Sequence, residues 1–150
     1  AANVNKNASE VNTNLALMAL KSGDVAKAET YLSKGTGSDT FKEVMGNLNI
    51  AKGNYTQAAS DLAGVNTNSA ALAQILAKDY TSAKTTLSKI KNADATTSYL
   101  QAVLAARTGD SSALSSSLKN AIQQDGTLAA RAAKDLEFAK YANVVKNLVK

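Results

Sequence analysis

Gly53-Asn54-Tyr55-Thr56-Gln57-Ala58 is the stretch on which the fold turns, because the chain writes it four times. It stands also as Gly23-Asp24-Val25-Ala26-Lys27-Ala28, as Lys78-Asp79-Tyr80-Thr81-Ser82-Ala83 and, more altered, as Gly109-Asp110-Ser111-Ser112-Ala113-Leu114. Successive starts are 30, 25 and 31 residues apart. A period of about 20–50 residues marks an array of small units, each of which buries its apolar face against its neighbours.

Helical patterns flank every copy. Apolar residues precede it over 14–20, 41–51, 70–77 and 99–106. Behind it, Leu32, Leu62, Leu87 and Leu118 follow Ala28, Ala58, Ala83 and Leu114 by four residues, so each pair shares one helical face. Gly23, Gly53 and Gly109 suit the left-handed conformation that ends a helix. Asp24, Asn54, Asp79 and Asp110 come next, and all four are expected to cap the following helix. Lys78 replaces glycine, which predicts a turn that is strained or differently shaped. Thr40–Glu43 and Ser98–Gln101 have the spacing of capping boxes at the starts of first helices.

Composition agrees. The chain has 150 residues, enough for one domain, with 29 alanines and no proline. Alanine loses no side-chain entropy in a helix, and without proline no helix is broken by a ring. An all-α fold follows. Histidine and cysteine are absent, which excludes thiolate nucleophiles, His-based triads and zinc sites with nitrogen or sulfur ligands. The 12 carboxylates show no pair spaced for acid–base work: Asp135 and Glu137 are two apart and face different ways on a helix. No enzyme activity, metal or cofactor is expected. The net charge of +5 is spread as single lysines, which reads as a solvated surface and not as a nucleic-acid footprint. No apolar run reaches the ~20 residues of a membrane span. The opening residues carry no signal sequence, and the chain reads as a mature protein or an excised domain.

The units are placed at 12–35, 40–64, 66–91 and 97–124, within a single domain of residues 1–150. Gly35-Thr36-Gly37-Ser38 is one of the linkers. A longer helix from Leu128 to Tyr141 and a short amphipathic piece after it form a C-terminal cap over 127–150. Arg131, Lys134, Asp135, Glu137 and Lys140 are expected to give that cap a polar outer face.

The spacing resembles the tetratricopeptide repeat, a helix–turn–helix unit of 34 residues. A small residue stands seven positions before each turn residue, at Ala16, Gly46, Ala71 and Ala102. The family's turn signature is matched in full at Gly53-Asn54-Tyr55, and its alanine five positions after the glycine at Ala28, Ala58 and Ala83. Its early tryptophan and its closing proline are missing, and the units are short. The resemblance implies a right-handed α-solenoid of about four short repeats with a C-terminal capping helix. It implies a groove lined by the first helices, with Leu17, Lys21, Glu43, Asn47, Ile50, Leu72, Ile75, Tyr99, Val103 and Arg107 facing a protein or peptide partner. Lys21, Asn47 and Arg107 are too scattered to assemble a clamp for a peptide carboxylate. Tyr55 and Tyr80 are expected to pack between units.

The function so implied is a non-catalytic scaffold that holds a peptide or helical segment. The alternative is a structural spacer of a larger cell-envelope protein, with no groove of its own. The alanine-, asparagine- and threonine-rich style without cysteine resembles tetratricopeptide arrays of Gram-negative envelope proteins. That implies the envelope or periplasm, leaves the cytoplasm open, and allows attachment to other domains of a larger chain.

Overall fold

All four copies of the repeated phrase fold as the same helix–turn–helix joint. In the computed structural model, which describes residues 2–34 and 39–149, they join α1 (Ala2–Lys21) to α2 (Val25–Leu32) and α3 (Asp39–Ala51) to α4 (Tyr55–Asp61). The third and fourth join α5 (Asn68–Leu76) to α6 (Tyr80–Lys89) and α7 (Ala95–Thr108) to α8 (Ser111–Gln124). Then come α9 (Leu128–Lys134), a 3-10 segment (Leu136–Tyr141) and α10 (Ala142–Leu148). The described residues contain no strand, so the fold is all-α. Ala1, the linker Gly35–Ser38 and Lys150 lie outside the described residues.

The turns owe their likeness to one backbone geometry. Gly23, Gly53 and Gly109 have φ of 82°, 79° and 82°. The N–H after each reaches back five residues, as from Asn54 to the Asn49 carbonyl at 2.8 Å. Lys78 takes φ 65° and keeps the same bond, from Asp79 to Gln74 at 2.8 Å. The third turn is therefore unchanged in shape and strained. A left-handed conformation costs an L-residue about 1–2 kcal/mol, and a glycine there loses about 0.5–1 kcal/mol of chain entropy on folding. Lys78→Gly should accordingly raise the stability by up to about 1 kcal/mol. A urea-denaturation midpoint at or below that of the parent would show that this turn carries no strain.

Three of the four expected caps form. Asp24, Asp79 and Asp110 accept from the N–H groups of Lys27, Ser82 and Ala113 at 3.1, 3.2 and 3.0 Å. Asn54 accepts none, and Gln57 donates to Asp61 at 2.9 Å. Both predicted capping boxes are corrected. α3 begins at Asp39, so Thr40 lies inside it, and Glu43 accepts from the Thr67 hydroxyl at 2.9 Å. α7 begins one turn earlier than its expected box, at Ala95. There Asp94 accepts from the Thr97 N–H at 3.0 Å, and the Thr97 side chain answers to the Asp94 N–H at 3.0 Å. The bond from the Thr97 N–H, with one from Asn68, holds the Asp94 carboxyl below its usual range.

The predicted faces are the core. Ala28, Leu32, Ala58, Leu62, Ala83, Leu87, Leu114 and Leu118 are all buried. The small positions Ala16, Ala71 and Ala102 are closed to solvent, and Gly46 goes further: a Cβ on it would lie 2.4 Å from Leu62. There the second helix sits against bare backbone. The first helices pack in chain order, α1 on α3, α3 on α5 and α5 on α7. Each of α3, α5 and α7 also packs on the second helix of the unit before it. Tyr80 packs against the largest cluster, whereas Tyr55 is exposed and does not fill the space expected of it.

The C-terminal helix departs from expectation. It breaks at Asp135, whose ψ of 121° is extended, and resumes as the 3-10 segment. Leu136 and Phe138 are two apart and fit no single α-helical face, and the break buries Phe138 while leaving Leu136 exposed.

Candidate functional site

The wall formed by the first helices divides into an open part and a closed part. Six residues before the turn stand Leu17, Asn47, Leu72 and Val103. The first three are half-buried, on helices that pack side by side, and Val103 is buried. Lys21 is exposed, and Ile50 and Glu43 are half-buried, Glu43 being engaged by Thr67. Leu17, Asn47, Ile50 and Leu72, with the exposed Lys21, thus stay partly open on α1, α3 and α5, three helices that pack in chain order. Ile75 and Tyr99 join Val103 in the core instead, at 0 and 2 % exposure.

The closed part is covered by the chain's own residues 135–138. The Tyr99 hydroxyl donates to Asp135 Oδ2, and Asp135 Oδ1 accepts from the Glu137 N–H at 3.0 Å. Phe138 meets the Tyr99 ring edge-on, centroids 5.5 Å apart, and the Arg131 guanidinium lies 4.7 Å from that ring. Arg107 forks onto Glu137, Nε to Oε2 at 2.8 Å and Nη2 to Oε1, while Nη1 donates to the Ile75 carbonyl at 3.0 Å. Burial, and then the Asp135 carboxylate, hold the Tyr99 phenol well above its ordinary pKa. Glu137 likewise raises Arg107, so this guanidinium stays charged and occupied.

This latch was not foreseen. Asp135 and Glu137 were expected to face different ways on a helix and to help solvate the cap. The break at Asp135 instead turns both onto α7. The one sequence signal for it is the apolar alternation Leu136-Glu137-Phe138, which contradicts a helix locally. Lys134 and Lys140 do remain on the exposed side.

On the opposite side a groove of about 760 Å³ runs between α6 and α8 over α7. Leu87, Leu104 and Ala105 line it, with Lys84, Gln101 and Asp110 among its polar residues. Among the described residues no group of three His, Cys, Asp or Glu side chains could hold a metal ion, and no helix is long and apolar enough to cross a membrane. No protein-family model, curated protein or solved structure matches this chain.

Proposed function

We propose that this chain is a non-catalytic scaffold module, a short tetratricopeptide-like solenoid that holds a peptide or helical segment of another protein along the wall of α1, α3 and α5. What carries this is the half-open strip of Leu17, Asn47 and Leu72, at one repeat position on three consecutive first helices. An apolar–polar–apolar strip suits an amphipathic helix or an extended segment. A spacer role in a larger envelope protein is the second reading. It is favoured by the α7 end of the same wall, where Arg107 and Tyr99 are spent on Glu137 and Asp135.

The test is capture from envelope and soluble fractions by the immobilised chain, beside Leu17→Glu/Leu72→Glu and the milder Asn47→Arg. Circular dichroism first establishes that each variant is helical. A protein retained by the parent and lost with both variants is the expected result. Equal retention by all three, or none by the parent, would assign the spacer role.

A further inference from the structure

Met18 is 66 % exposed, five residues before the turn at Gly23. The same place is held in the later units by Leu48, Ala73 and Leu104, which are 3, 0 and 9 % exposed. One cause buries all three: each first helix lays this position into the pair ahead of it. Leu48 shares a cluster with Ala16, Ala19, Ala28 and Leu32. Ala73 lies with Ala58 and Leu62, and Leu104 with Ala71, Ala83 and Leu87. Among the described residues α2 and α3 are the elements that pack on α1. Val11, seven residues earlier on the same line of the helix, is 56 % exposed.

The charges beside this line are self-complementary. Glu10, Asn14 and Lys21 are exposed, and at 3.6 residues per turn Glu10 and Lys21 fall within about 20° of each other, on one flank of the Val11–Met18 line. The opposite end of the array is closed, since the 3-10 segment covers α7 and α10 covers α8. The α7 and α8 surfaces at that end are therefore not free to receive the α1 line of another copy.

We propose that α1 is a homodimerisation surface, pairing antiparallel with α1 of a second copy. A two-fold axis beside Asn14 and Leu15 sets Val11 of each copy against Met18 of the other. In an antiparallel pair a flank meets its own counterpart, so Glu10 of each copy meets Lys21 of the other. The two Asn14 amides then lie near the axis, where such a side chain fixes register. One helix face is well below the ≈ 800 Å² per partner of a standard interface, so the dimer is weak and concentration-dependent.

Sedimentation equilibrium of the full chain tests this. The parent should pass from monomer to dimer with rising concentration, and Met18→Glu should weaken the dimer by at least about tenfold. Glu10→Lys and Lys21→Glu should each weaken it by about fivefold, and the double charge swap should restore it to within about twofold. All three substituted positions are exposed, so circular dichroism should be unchanged throughout. A chain that stays monomeric up to about 1 mM, a dimer indifferent to Met18→Glu, or a double swap that fails to rescue would each overturn the proposal.

Discussion

Phe138→Ala is expected to destabilise the chain by about 3–5 kcal/mol, the range for truncating a buried aromatic residue. Phe138 is 2 % exposed and is the apolar anchor of the C-terminal segment on α7. Its removal leaves a cavity beside Tyr99 and loosens the segment that holds Asp135 against Tyr99 and Glu137 against Arg107. The loss should begin locally, because the 3-10 segment and α10 pack on α7, α8 and α9. Hydrogen exchange should therefore quicken first in the 3-10 segment and α10, while α1 to α4 keep their protection. Chemical denaturation would give the size of the effect. A cost below about 1 kcal/mol would show that the segment is held by its polar contacts and not by Phe138.

Gly53→Pro should cost at least about 3 kcal/mol. Gly53 has φ of 79°, whereas proline is fixed near −65°. The substitution also deletes the bond from the Gly53 N–H to the Ile50 carbonyl at 3.0 Å and pushes Lys52 out of helical backbone. The turn joins α3 to α4, and α5 packs on both, so misalignment there spreads to the middle of the molecule. Gly53→Ala serves as the control: nothing lies within 4 Å of its Cβ, so it feels only backbone strain, about 1–2 kcal/mol. A thermal midpoint unchanged by the proline would remove the basis for the repeat register.

What local chemistry governs was legible in the sequence. The left-handed turns follow from three glycines and the invariant spacing around them, and Lys78 follows its neighbours at the cost of strain. The Ala/Leu faces follow from four-residue periodicity, and every one of them is buried. Caps were less secure. A hydroxyl at capping-box spacing can be outbid by a nearby carboxylate, as Asp94 does one turn ahead of Ser98 at α7.

The candidate site was legible only by halves. The first helices and their order were fixed by the repeated phrase, and so were the strip positions Leu17, Asn47 and Leu72. Which of the ten residues stay open was not, because burial depends on what lands on them from a distance. Ile75, Tyr99 and Val103 are core since later elements pack over them, and Arg107 is engaged by a carboxylate 30 residues away. The break at Asp135 has the same origin: local propensity favours continuing the helix, but burying Phe138 and pairing both carboxylates with α7 gains more than the lost helical bonds cost. By itself the sequence determined the helices, their turns and the faces they bury, since these depend on neighbours a few residues apart. The tertiary structure alone decided where the wall is open, where it is latched shut and that α1 keeps a bare apolar line, since these depend on which surfaces meet.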